Sequence, residues 1–219
     1  MKFLNKCREP EKIGTTGHKV LMSCMILLLG GVLGAISKWL DTLPVNDLPR
    51  FMRSWDLANV LGQVPIWALI ALAVAVFSKS ALRGAINAMC FFAGVVVSYS
   101  LCSLWIAGFM LDGSYLTVWI VLTLAAFPLG FIVWYARGKG APAVIVSALI
   151  IAYFILQAFS FDAGLSYFGL ACGAWGVVFL VLAILIVFVD PMQTLIALGA
   201  ALPLAYLIRL SGLSIPYVL

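Results

Sequence analysis

Charge is scarce in this 219-residue chain. Thirteen basic and eight acidic residues make up only 10% of it, while 65% is hydrophobic. Soluble domains carry about 25% charged and about 45–50% apolar residues. A surface facing water would therefore lack polar material here. Histidine is almost missing, the one copy being His18. That excludes zinc sites built on His pairs and Ser-His-Asp triads. Cys7, Cys24, Cys90, Cys102 and Cys172 form no C-x-x-C pair. Four of them lie in apolar runs, where a thiol behaves as a small hydrophobe. Neither a disulfide framework nor a metal site is expected. G-x-S-x-G and H-E-x-x-H do not occur, and Gly138-Lys139-Gly140 lacks the length and hydroxyl of a phosphate loop. No catalytic residue and no cofactor is expected, and the chain reads as a non-enzyme.

What the chain has is a series of unbroken apolar runs. Hydrocarbon offers the backbone no hydrogen bonds, so only helices and closed barrels cross it. A barrel would alternate apolar and polar residues over segments of about ten. These runs are near twenty residues long, about 30 Å as helix. They predict an all-α, polytopic transmembrane helix bundle of about seven spans, over residues 20–40, 57–77, 85–109, 115–135, 141–159, 164–189 and 192–210. Six spans result if the last re-enters or the first lies at the interface. Residues 1–19 form a basic tail and 211–219 a short C-terminal one. Pro44 and Pro49 keep the 41–56 connection irregular, and Pro65 and Pro128 predict kinks.

The net charge is +5. Lys2, Lys6, Arg8, Lys12, Lys19, Lys79, Arg83, Arg137 and Lys139 would share one side. Lys38, Arg50, Arg53 and Arg209 would fall on the other. The positive-inside rule makes the first side, with the N-terminus, cytoplasmic. No basic stripe is interleaved with aromatics on a polar face, so nucleic acid is not an expected partner. Lipid is.

A charge at mid-membrane costs about 2.5–3.5 kcal/mol on insertion scales. The predicted mid-spans hold none, which argues against a proton pump, a voltage sensor or a carboxylate-coupled carrier. Asp56, Asn59 and Gln63 fall at i, i+3 and i+7, one face of the second span. Lys38 and Asp41 end the first span on the same side, and Trp55 borders them. These six residues form a candidate outward pocket. The alternative is that Asp56 caps the helix while Asn59 and Gln63 bond neighbouring helices. Lys79, Arg83, Arg137 and Lys139 form a candidate docking surface for a cytoplasmic protein, or else simple positive-inside anchors. Gly30 and Gly34, and Gly169 and Gly173, form G-x-x-x-G pairs that suit close helix contact within the bundle or in a homo-oligomer. Several of the tryptophans sit near span ends, as an aromatic belt requires.

LLLGGVLGAISKWLD, FSKSALRGAINAMCFFAGVVVSYSL and GKGAPAVIVSALIIAYFILQAF together resemble a family of small uncharacterised bacterial multi-pass membrane proteins (a domain of unknown function). The resemblance implies a helix bundle in the bacterial cytoplasmic (inner) membrane and assigns no residue a role. A weaker similarity is to the substrate-binding membrane components of energy-coupling vitamin importers, which have about six helices and an outer loop over the substrate. The expected function is a binding or transport component for a small neutral or amphipathic solute. The alternative is a non-catalytic membrane interaction subunit (an immunity, defence or assembly factor) docking through its basic turns.

Overall fold

The first span extends beyond its apolar run. In the computed structural model, which describes residues 7–11, 14–44, 47–162, 164 and 166–212, helix α1 covers Thr16–Thr42. Short helices α2 (Arg50–Ser54) and α3 (Leu57–Leu61) follow, then α4 (Val64–Val76) and α5 (Ala81–Cys102). A π-turn, Ser103–Ala107, ends α5. Helix α6 (Gly113–Val133) closes in a 3-10 turn, Trp134–Arg137. Helix α7 (Ala141–Ala158) leads into a hairpin of β1 (Phe159–Phe161) and β2 (Phe168–Leu170), and α8 (Gly173–Val187) and α9 (Pro191–Leu210) complete the chain. Apart from this hairpin, the elements among the described residues are all helical. Lys2, Lys6, Lys12 and the tail from 213 onward lie outside the described residues.

Five helices are long and apolar enough to cross a membrane, and α4 and α8 are shorter apolar helices. In α1, α6 and α9 only 17% of the most apolar 18-residue window is buried inside the protein. Water would not tolerate that much exposed Leu, Ile and Val, so lipid is the solvent and the protein is a multi-pass membrane protein.

The second span is not one helix. Pro65 has no N–H to give Leu61, and its ring would clash with that carbonyl in a continuous helix. The chain breaks instead: Gln63 is extended, with φ −95° and ψ 142°, and Pro65 sits in the first turn of α4. The freed Leu61 carbonyl accepts from the Trp67 indole at 2.8 Å and the Ser37 hydroxyl at 3.5 Å. The sixth span is likewise shorter than its apolar run, because Phe168–Leu170 pairs antiparallel with Phe159–Phe161.

Helix α4 is the hub. Trp67, Ala71 and Ala75 on one side join a core with Phe91, Phe92 and Val95 of α5 and Trp119 and Ala126 of α6. Leu69, Leu72 and Val76 on the other join Ile151 and Phe154 of α7, Phe179 of α8 and Ala201 of α9. Being apolar all round, α4 has no lipid-facing preference and is buried.

Small residues set the closest approaches. The backbones of α1 and α5 touch at Gly30 and Gly34 on one side and Gly94 on the other. The first G-x-x-x-G pair is thus spent inside the bundle. The second is not a helix contact at all. Gly169 lies in β2, and Gly173 starts α8 at φ +56°. Gly176 supplies the α8–α7 contact instead, next to Ala158 and the Gln157 carbonyl.

The N-terminal segment is docked on the bundle. Backbone bonds run from Glu11 N–H to the Lys79 carbonyl (2.9 Å) and from Lys139 N–H to the Cys7 carbonyl (2.7 Å). Arg8 donates to the carbonyls of Val76 (3.0 Å) and Trp134 (2.5 Å), and its guanidinium stacks on the Trp134 ring at 4.2 Å. Those carbonyls belong to the C-terminal ends of α4 and α6, where a cation best satisfies orphan acceptors and the helix dipole.

Candidate functional site

The docked N-terminal segment marks one face of the bundle, and the hairpin marks the other. At the hairpin face α1 brings Ser37, Lys38 and Asp41 against the end of α5. Lys38 is buried, its ammonium 5.1 Å from the Tyr99 ring centre and 5.2 Å from that of Phe109. Phe109 reaches that position because Gly108, at φ +73°, turns the chain back after the π-turn. The Ser103 hydroxyl donates to the Phe109 carbonyl at 3.1 Å and holds the turn. Cation–π contact is worth about 2 kcal/mol when desolvated, so the aromatic faces help to hold the buried ammonium.

The Tyr99 hydroxyl donates to the Asp41 carboxylate at 2.5 Å. Tyr99 lies 6.5 Å from Tyr115, and Tyr115 lies 6.2 Å edge-on from Trp119. Tyr115 and Trp119 are one helical turn apart on α6, so both face α5. These side chains, with Ser37, Ser100, Trp67 and the Leu61–Gly62 break, line a cavity of about 30 Å³. That is room for about one water molecule. Trp119 is one of the lining residues, and its indole N–H is buried with no hydrogen-bond partner among the described residues.

The six residues expected to form one pocket divide into four places. Lys38 and Asp41 come together with Tyr99. Trp55 instead packs, tilted, at 5.6 Å from Trp175, whose indole donates to the Trp55 carbonyl at 2.8 Å, tying Trp55 to α8. Asp56, left-handed at φ 52°, accepts twice from Asn59, at 2.8 and 3.0 Å, on an exposed turn. Gln63 sits at the break, so Asp56, Asn59 and Gln63 do not share a helix face. The Gln63 Oε1 is buried without a partner among the described residues. Sequence reasoning missed Tyr99, Tyr115 and Trp119. Their only signal was position near span ends, which an aromatic belt explains equally well.

At the opposite face, only two of the four expected docking cations are free to act outward. Lys79 and Lys139 are exposed. Arg83 points inward, donating to the Lys19 carbonyl (2.7 Å), Ser23 Oγ (2.5 Å) and Asn87 Oδ1 (3.1 Å). Asn87 in turn donates to Ser78 Oγ at 3.0 Å. Arg137 lies over the Phe77 ring at 5.0 Å and reaches the Ile186 carbonyl at 3.4 Å. Both arginines are engaged within the bundle, Arg137 at the C-terminal end of α8 and Arg83 between α1 and α5.

Two carboxylates of the hairpin face titrate unusually low. Asp162 accepts from the Ser166 hydroxyl and, at 2.9 Å, from the Tyr167 N–H. The Ser166 bond first, then the Tyr167 bond, hold its pKa below the ordinary 3.8. Asp112, the N-cap of α6, is lowered in the same way by Ser114 and then Tyr115. A depressed folded pKa stabilises above the unfolded value and is lost as pH falls through the folded one. The contacts of Asp162 with Ser166 and Tyr167 are therefore expected to hold at neutral pH and loosen as pH drops below 3.8. Amide exchange at Tyr167 measures this, and Asp162→Asn should remove the pH dependence. An unchanged profile in the variant would assign the dependence elsewhere.

Comparisons with protein-family models, with curated proteins and with solved structures find no match.

Proposed function

We propose that this protein is a membrane-embedded binding or transport component. It takes a small neutral or amphipathic solute into the pocket between α1, α5, α6 and the α3–α4 break. In this reading the chain crosses a bacterial inner membrane seven times, with its N-terminal face in the cytoplasm and the pocket outside. The observation that carries it is the buried N–H of Trp119, a residue lining the cavity, left without a partner among the described residues. An unsatisfied buried donor costs about 1–3 kcal/mol, so an acceptor from outside the protein belongs there. The wall around it suits an amphipathic guest. The rings of Tyr99, Tyr115, Trp67 and Trp119 supply apolar surface. Asp41 lines the wall, and Lys38, against the Tyr99 ring outside the lining, brings the opposite charge close by, so neither a strong anion nor a strong cation is favoured.

The cavity holds one water, so a larger guest requires a wall to yield. The Leu61–Gly62 break is the wall with the least helical support. The test is native mass spectrometry of the full chain, gently extracted from its host, beside Trp119→Phe and Asp41→Asn. A bound mass of a few hundred daltons that both variants lose while keeping their helix content is expected. An adduct unchanged in both variants would remove the pocket from the reading. A bound protein in place of a small molecule would favour the interaction-subunit alternative, with Lys79 and Lys139 as its contacts.

A further inference from the structure

A second concavity lies on the far side of α4. Helices α8 and α9 both pack on α7 and make little contact with each other. The gap between them is about 550 Å³, floored by Ile155, flanked by Leu180, Leu198 and Leu202, and bounded at the hairpin by Phe161 and Tyr206. Its wall is apolar throughout. From Leu198 to Tyr206 it follows about 12 Å of α9 at 1.5 Å per residue. Half of a hydrocarbon core of about 30 Å is roughly 15 Å. The groove therefore matches the depth of one leaflet. A helix from a second copy would need a seam across both leaflets, and this groove stops well short of that.

Arg209 stands at the hairpin end. It is exposed, in the last turn of α9, and its Nε donates to the Phe161 carbonyl at 2.9 Å. Phe161 also lines the groove, and its ring stacks on Tyr206 at 6.5 Å. That bond orients the guanidinium, and among the described residues its two terminal nitrogens have no hydrogen-bond acceptor. A planar fork of this kind suits phosphate oxygens.

We propose that the groove binds one acyl chain of an anionic phospholipid whose phosphate is held by Arg209. The site is separate from the pocket at α1, α5 and α6 and does not depend on its occupancy. A chain in the groove would fill the space between α8 and α9, coupling their outer halves to the hairpin.

The test uses the full chain in phosphatidylcholine nanodiscs. They carry a trace of phosphatidylglycerol with a photoactivatable group at mid-chain, and a matched phosphatidylcholine probe runs in parallel. Cross-links from the glycerol lipid are expected to concentrate on residues 155–161 and 198–206, several-fold above the choline probe. Arg209→Gln should bring the two probes to equal yield. Leu202→Trp, on the exposed lip, should lower both within the groove and leave labelling of α1 unchanged. Equal yields from the two probes in the wild type, labelling spread evenly over all lipid-facing helices, or cross-links joining two copies across the groove would each overturn the proposal.

Discussion

Gly94→Ala is expected to cost the protein more folded material than any substitution in the candidate pocket. A Cβ at Gly94 would stand 2.1 Å from the Leu27 carbonyl oxygen and 2.9 Å from the Gly31 nitrogen. One at Gly30 would stand 2.1 Å from the Phe91 carbonyl oxygen. These are backbone atoms, with no rotamer to escape into, so α1 and α5 would have to separate. Overpacking costs about 1–3 kcal/mol, and one or two kcal/mol changes the folded-to-unfolded ratio about 5–30-fold. Gly31, a neighbour in sequence, is the control: a Cβ there meets nothing within 4 Å. Gly31→Ala should be neutral or gain up to about 1 kcal/mol of helix propensity. Helix content followed through a denaturing-detergent titration compares the three. If Gly94→Ala and Gly31→Ala unfold together, the α1–α5 contact is not as close as described.

Arg8→Ala is expected to release the N-terminal segment and expose Cys7. The thiol is buried, only 7% exposed, because Arg8 clamps the segment under α4 and α6. Hydrogen bonds to a charged group contribute about 1.5–3 kcal/mol each, and every 1.4 kcal/mol is about tenfold in an equilibrium. In a chain whose other four cysteines are replaced, a maleimide should label Cys7 at least about tenfold faster in Arg8→Ala than in wild type. Arg8→Lys, a point charge without the fork, should fall between them. Equal labelling rates in all three would mean the backbone bonds at Glu11 and Lys139 hold the segment without Arg8.

Both effects originate in contacts that span long stretches of chain, and this is where the sequence reading stopped. Each apolar run marked a membrane-embedded stretch because the cost of unpaired backbone in hydrocarbon leaves no alternative to helix. Gly30 and Gly34 announced a close contact for the same kind of local reason: spacing on one face is a property of the helix itself. Charge scarcity likewise marked, from composition alone, a surface that water could not cover. Pro65 was visible as a disturbance, but a kink and a full break have the same local cause. The break depended on Trp67 and Ser37 being placed to satisfy Leu61.

Tertiary structure decided the rest. Asp56, Asn59 and Gln63 shared a helix face only while that helix was assumed continuous. Lys38 and Asp41 needed Tyr99, more than fifty residues away, before they became parts of a site. The basic residues near the N-terminus looked like a solvated tail because composition reports charge and says nothing of its partner. Arg8 and Arg137 turned inward because helix C-termini meet at that face with carbonyls to satisfy, and Arg83 because Ser23, Asn87 and the Lys19 carbonyl lie beside it. Local sequence determines which segments enter the membrane. Which helix ends meet, and hence which polar groups find one another, is fixed only when the bundle closes.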